Sequence, residues 1–198
     1  MQKVLFLPGA GASAEFWRPV ADHLDIDGGK RFFHWPGLGN EPHDPNVGGI
    51  DDLIAMVLSE LDDPVDLIAQ SMGGLIAVRV ALNAPDKVRR LVLTATSAGI
   101  PESNLGCAEW RADYRRDYPQ AASWITDLYE DLSAQLSSIN APTLLLWGDS
   151  DSISPPAVGQ RLLALLPYAT LHIIEGGSHD LAQTHAAEIA PLIAEHLR

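Results

Sequence analysis

Hydrophobic residues fall along this chain in two alternating patterns. Short, nearly continuous apolar runs occupy residues 3–7, 30–35, 65–69, 90–94, 143–147 and 170–174. Runs of that length, rich in Val, Leu, Ile and Phe, fit strands covered on both faces, as in parallel sheets. Between them lie stretches with helical spacing, at 14–23, 50–61, 72–83, 156–166 and 181–196, often closed by Pro or Gly. Strands and helices in alternation predict an α/β fold, a three-layer α/β/α sandwich with a mostly parallel sheet of about six strands.

One stretch breaks the alternation. Residues 98–139 contain no convincing strand, and Trp110, Tyr114, Tyr118, Trp124 and Tyr129 mark an aromatic-rich helical insertion. Connections this long in compact domains usually carry function. The insertion is expected to form a small helical lid over the ligand-binding edge of a single domain spanning 1–198. The alternative is an extra helical layer whose aromatics pack on the core.

Composition narrows the possible partners. With 198 residues, 46% of them hydrophobic, the chain can bury one full core. Its 13 Lys plus Arg against 26 Asp plus Glu give a formal charge of -13. That charge opposes binding to nucleic acid and to anionic membranes, so neither is expected as a partner. The apolar run before Pro8 is too short for a signal peptide, and no stretch reaches transmembrane length. Cys107 is alone and cannot form an intrachain disulfide, which fits a reducing compartment. A cytoplasmic protein is expected, with its oligomeric state open.

Candidate chemistry begins where the run Val65-Asp66-Leu67-Ile68-Ala69-Gln70 meets Ser71 and continues as a helix. Ala69-Gln70-Ser71-Met72-Gly73 fits the Gly-x-Ser-x-Gly turn, with alanine in the first glycine position. Taken alone, Ser71 could equally be a helix N-cap. In open α/β sheets, ligand chemistry collects beyond the carboxyl ends of the strands, so partners for Ser71 should directly follow strands. Two late loops do so. Gly148-Asp149-Ser150-Asp151 offers two carboxylates, and Glu175-Gly176-Gly177-Ser178-His179-Asp180 places His179 in a glycine turn ahead of the last helix. Among the other histidines, His172 lies in a predicted strand, His185 and His196 lie on the last helix, and His23, His34 and His43 precede Ser71.

With nucleophile, acid and base in that order, the chain resembles the α/β-hydrolase fold superfamily, in particular its compact, lidded serine esterases. The likeness runs from Leu7-Pro8-Gly9-Ala10-Gly11 to the helix after His179. Trp35-Pro36-Gly37-Leu38-Gly39 resembles a structural loop of the family, although His34 stands where an acidic residue is often found. The resemblance implies a catalytic triad of Ser71, Asp151 and His179, the acid being the fourth residue of Gly-x-x-Asp counted from Gly148. Asp149 is the alternative acid, with Asp151 then capping its helix. The resemblance also implies an oxyanion hole made of the backbone N–H groups of Ala10 and Met72. Ser71 would attack an acyl carbon, His179 would take its proton, and water would later release the acid from an acyl-enzyme. No metal or organic cofactor is needed for that chemistry, and neither His43-Asp44 nor His179-Asp180 has further ligands at metal-binding spacing.

A small-molecule acyl substrate would meet an apolar pocket formed by Trp17, Met72 and Leu75 with the lid aromatics Trp110, Tyr114 and Trp124. Arg111 and Arg115, four apart and on one helix face, could clamp a substrate carboxylate. Pairing of Arg111, Arg115 and Arg116 with Glu109, Asp113 or Asp117 is the alternative. The leading expectation is hydrolysis of a small carboxylic ester, thioester or lactone. A carbon-carbon lyase or acyltransferase acting on a carboxylate-bearing substrate, and a ligand-sensing receptor, are the other two readings.

Overall fold

In a computed structural model describing residues 2–26 and 28–198, the strands are β1 (Lys3–Leu7), β2 (Lys30–Phe32), β3 (Val65–Gln70), β4 (Val88–Thr94), β5 (Thr143–Gly148) and β6 (Ala169–Ile174). They form one sheet in the order β2-β1-β3-β4-β5-β6, and every neighbouring pair runs parallel. The helices are α1 (Arg18–Ala21), α2 (Ile50–Leu58), α3 (Met72–Asn83), α4 (Arg111–Asp117), α5 (Trp124–Asp127), α6 (Pro156–Leu165), α7 (Leu181–Thr184) and α8 (Ala186–His196).

Successive side chains of a strand point to opposite faces, and here both faces are covered. Leu5, Leu7, Leu67, Leu91, Leu93, Leu145 and Trp147 pack with residues of α2, α3 and α6. Val4, Phe6, Ile68, Val92, Leu144 and Leu146 pack with residues of α1, α7 and α8. β3 and β5 are buried along their whole length, which accounts for their largely apolar sequence, with Asp66 and Gln70 as the buried polar exceptions of β3. Among the described residues, no helix is long and apolar enough to cross a membrane.

Tertiary contacts move several boundaries. β2 ends at Phe32 rather than at residue 35. Phe33 N–H still donates to Phe6 O at 3.0 Å, but Trp35 then turns inward to donate its indole N–H to Pro8 O at 2.8 Å, and Pro36 has no N–H to continue a ladder. The helix expected at 14–23 is a 3-10 turn (Ala14–Trp17) followed by α1. The helix expected at 181–196 breaks at His185, whose φ and ψ are -121° and 27°. α7 packs on the 3-10 turn as well as on α1, whereas α8 packs on α1 and β5. The segment 98–139 is less helical than expected: α4, α5 and a 3-10 turn at Leu136–Ser138 are joined by irregular chain. Its end is core, since Leu136 and Ile139 are buried.

The sheet order reverses direction at β1 and β3, and this switch point is where ligands collect in open α/β sheets. The late loops after β5 and β6 converge on the same edge and are laced together. Asp149 N–H donates to Ile174 O at 3.1 Å and Ser150 N–H to Gly177 O at 3.0 Å. A Cβ on Gly148 would lie 2.0 Å from Gly177 O. Gly148→Ala is therefore expected to lower the unfolding free energy by at least about 2 kcal/mol, read as a lower urea midpoint; an unchanged midpoint would mean the two loops do not touch.

Candidate active site

Ser71 sits between β3 and α3 with φ 52° and ψ -122°. A left-handed backbone is costly for a residue with a Cβ, on the order of 1–3 kcal/mol, and persists where its surroundings over-determine it. Three hydrogen bonds do so here. Ser71 N–H donates to Thr94 O at 3.1 Å, Gly74 N–H donates to Ser71 O at 2.9 Å, and the Thr96 hydroxyl donates to the same carbonyl at 2.6 Å. A helix-capping serine has extended backbone and accepts from the first turn. Ser71 has neither property, so it is not an ordinary N-cap.

The close approach around Ser71 depends on glycine. A Cβ on Gly73 would lie 2.4 Å from Leu7 O and 2.5 Å from Pro8 O, both backbone atoms. Ala69 needs no glycine, because it is still in strand register, opposite Leu7 and Leu93, with its methyl group in the core. Met72 opens α3, so its N–H has no partner within the helix and lies at the positive end of the helix dipole. Met72 and Ala10 both line the cavity that holds Ser71.

His179 Nδ1 lies 2.9 Å from Asp151 Oδ2. The Asp151 side chain is fully buried and that of His179 is 20% exposed. Asp151 Oδ1 accepts the N–H groups of Ile153 and Ser154, each at 2.9 Å. A buried carboxylate with its lone pairs filled in this way is rigid, and its remaining oxygen orients the imidazole. Asp149 points elsewhere: its Oδ1 accepts Gly176 N–H at 2.8 Å and the Ser150 hydroxyl at 2.9 Å, which ties the two late loops together. His34 pairs with Glu41, His43 contacts Gln120 O, His185 contacts Thr184 and His196 contacts Leu91 O. None of these partners is a fully buried carboxylate.

Ser71 and His179 open into one cavity of about 1050 Å³. Met72, Leu75, Trp110 and Tyr114 are on its wall, as expected. Two expected pocket residues are not. Trp17 is 1% exposed, packs on Phe6 and Phe16 and donates its indole N–H to Leu7 O at 3.2 Å; its neighbour Phe16 reaches the cavity instead. Trp124 packs against the core, and Ile125, Leu128 and Tyr129 line the cavity in its place. Tyr114 contributes its ring to the wall, but its hydroxyl is engaged with Gly39 and Ala10. Burial pushes that phenol above its ordinary range, so it stays protonated.

The arginines of α4 are taken up by the protein. Arg111 donates to Thr126 O at 3.0 Å and pairs with Glu109. Arg115 donates to the Thr126 hydroxyl at 2.7 Å, and Arg116 pairs with Asp113 and Asp117. Arg111 and Arg115 thus share a face, as their spacing implies, and use it to fasten α4 to α5. The wall also carries the carboxylates of Glu15, Glu102, Glu109, Asp113, Asp117, Glu130 and Asp180 among its apolar residues, and Glu15, Glu109, Asp113, Asp117 and Glu130 are paired with arginines. Burial raises Glu102 above the usual carboxylate range, against the pull of Arg111 and His179. Burial likewise pushes the Cys107 thiol up to about 11, so it is no thiolate at neutral pH. Among the described residues no three His, Cys, Asp or Glu side chains are grouped to hold a metal ion.

Sequence reading missed three supports of the site. Thr96 holds the Ser71 carbonyl, Gln70 donates its side-chain amide to His179 O at 3.2 Å, and Trp35 holds Pro8 O. Only Gln70 carried a signal: a buried polar residue next to the serine in an apolar strand.

Residues 4–113 match the Alpha/beta hydrolase family. A pimeloyl-acyl-carrier-protein methyl ester esterase of Neisseria meningitidis serogroup B is 27% identical over 97% of this chain and 91% of its own length. A poly(3-hydroxyalkanoate) depolymerase of Ectopseudomonas oleovorans is 30% identical over 98% of this chain and 84% of its own. Among solved structures, a thermophilic esterase from Thermogutta terrifontis superposes with a TM-score of 0.81 at 19% identity, covering 100% of this chain and 90% of that one.

The strain at residue 71 has a measurable consequence. Ser71→Gly relieves it and Ser71→Ala does not, so the glycine variant is expected to be more stable than the alanine variant by about 1 kcal/mol in urea unfolding; equal stabilities would mean that no strain is stored there.

Proposed function

Because the chain belongs to the α/β hydrolase family, we propose that it hydrolyses a small carboxylic ester, thioester or lactone through Ser71, His179 and Asp151. The observation that carries this reading is the 2.9 Å contact between His179 and the buried Asp151, opening into the same cavity as a serine on a strained strand-to-helix turn.

In the proposed reaction the Ser71 hydroxyl attacks the acyl carbon while His179 Nε2 takes its proton. Asp151 accepts the Nδ1–H bond, which sets the tautomer and stabilises the imidazolium. The carbonyl oxygen becomes an oxyanion facing the N–H groups of Ala10 and Met72, a contribution on the order of 3 kcal/mol per donor in comparable sites. Collapse returns the His179 proton to the leaving alcohol and leaves an acyl-Ser71. Water, deprotonated by His179, attacks that ester, and the acid departs as Ser71 recovers its proton. Residues 98–139 act as the lid, with α4 over the cavity. A cytoplasmic location belongs to the same proposal, on the ground of the single Cys107.

The wall also informs the substrate. Its one arginine, Arg111, is committed to Glu109 and Thr126, and the wall carboxylates Glu15, Asp113, Asp117 and Glu130 are likewise paired with arginines. A substrate carboxylate would find no uncommitted arginine on that wall, which favours esters without a free acid group and weighs against the lyase and acyltransferase reading.

Ser71 is expected to label with a fluorophosphonate, and the protein to cleave short p-nitrophenyl esters. Ser71→Ala and His179→Ala should each lose at least about 10⁴-fold in kcat, with His185→Ala near wild type; activity surviving in Ser71→Ala would end this reading. In a competition between a neutral methyl ester and the same ester carrying a distal carboxylate, the neutral one is expected to have the higher kcat/KM. A preference for the acid would show that an arginine leaves its partner to meet the substrate.

A further inference from the structure

Every carbonyl from Leu7 to Gly11 accepts a hydrogen bond, and most of the donors are aromatic side chains. Trp17 Nε1 donates to Leu7 O at 3.2 Å and Trp35 Nε1 to Pro8 O at 2.8 Å. Gly9 O accepts Ala12 N–H at 3.2 Å, closing a turn. The hydroxyls of Tyr114 and Tyr118 donate to Ala10 O at 3.1 Å and to Gly11 O at 3.0 Å.

This loop has reason to need outside anchors. Ala10 lies between two glycines in tight surroundings: a Cβ on Gly9 would sit 2.5 Å from Gln70 Oε1, and one on Gly11 3.0 Å from the Tyr118 ring, so each of these side chains would have to give way. Glycine permits that approach but leaves the flanking peptide planes free to rotate. The turn itself supplies one hydrogen bond. The remaining constraints come from the core on one side, where Trp17 and Trp35 are almost completely buried, and from α4 on the other. Tyr114 on α4 and Tyr118, the residue that caps its end, are spaced i,i+4, so they present both hydroxyls to the same side. The Tyr114 hydroxyl is fully used, accepting Gly39 N–H at 2.9 Å while donating to Ala10 O. α4 buries none of its own residues completely, so these bonds are a large part of what seats it.

We propose that Tyr114, supported by Tyr118, is a positioning residue: by holding the two peptide planes that follow Ala10 it fixes the turn that closes on Gly9 O and, through that turn, the direction of the Ala10 N–H, so that seating α4 over the cavity and completing the oxyanion site are one event. This rests on the reading of Ser71 as nucleophile and of Ala10 as an oxyanion donor. The tyrosines touch no reacting atom; they act through the loop backbone. With α4 displaced, the Trp-anchored half of the loop stays in place and the Ala10–Gly11 half is released.

Tyr114→Phe tests this, since it removes the hydroxyl and keeps the ring that packs edge-on against Trp110 at 5.9 Å between centroids. The kcat for p-nitrophenyl butyrate, the rate of Ser71 labelling by a fluorophosphonate and the affinity for an alkyl boronic acid, whose tetrahedral adduct places an oxygen in the hole, should each fall by about tenfold. KM should be unchanged, and the Tyr114→Phe,Tyr118→Phe double variant should lose more. Wild-type kcat and boronate affinity in Tyr114→Phe, or a loss confined to KM, would overturn the positioning role while leaving the nucleophile reading intact. If the wild-type protein fails to label at Ser71, the nucleophile reading falls and this proposal with it. Should Tyr114→Phe not fold, Tyr118→Phe is read in the same assays, with a loss in kcat and boronate affinity at constant KM expected and no change overturning the proposal.

Discussion

The left-handed backbone of Ser71 is the constraint around which the rest of the site is arranged. To hold φ at 52°, the chain must turn sharply from β3 into α3, which brings the start of that helix against the end of β1. Gly73 then sits where a single carbon would collide with Leu7 O and Pro8 O. The same contact sets the loop after β1 beside the serine, so the strain at one residue fixes the distance between two loops. Hydrogen bonds from Thr96 and to Thr94 keep the serine from relaxing. Strain of this kind is stable where the surrounding structure is itself rigid, and β3 is buried along its length.

The two late loops solve a different problem. Asp151 and His179 come from separate strand ends, and a charged carboxylate removed from water must have its oxygens filled. Two backbone N–H groups and the His179 ring do that. Asp149, two residues earlier, is spent on holding the loops together. Neighbouring carboxylates in one short loop therefore do unlike jobs, one joining backbone to backbone and the other facing an imidazole. The segment after β4 has two parts: its end is anchored in the core through Leu136 and Ile139, and α4 lines the cavity, joined by Tyr114 and the following Tyr118 to the loop after β1. The arginine on the cavity wall is already paired, as are most of the wall carboxylates, so the space is lined without an uncommitted guanidinium.

Much of this was legible in the chain. The unbroken apolar runs marked the strands because both faces of a parallel sheet are covered, and the small residues around Ser71 marked the turn because bulk cannot enter it. The order of serine, carboxylate and histidine was readable because chemistry in open α/β sheets gathers at strand ends. The misplacements have a common cause. Trp17 and Trp124 were expected at the pocket as large aromatics near it in sequence, yet one residue separates Trp17 from the cavity-facing Phe16 and one separates Trp124 from Ile125. In a single helical turn or 3-10 turn, one position is the difference between core and cavity, and short aromatic segments have too little periodicity to show which face turns inward. The long helix expected after His179 breaks at His185; α7 reaches the 3-10 turn as well as α1 while α8 packs on α1 and β5, contacts that no local pattern contains.

What the sequence by itself determined was the architecture, together with a short list of candidate residues, because apolar periodicity, glycine placement and strand order are local properties written along the chain. The tertiary structure decided which of two nearby carboxylates faces His179, which arginines are already paired, and that four aromatic side chains far apart in sequence converge on the carbonyls of one loop. Those outcomes depend on distances between segments tens of residues apart, and they exist only once the sheet has closed and the segment after β4 has settled against it.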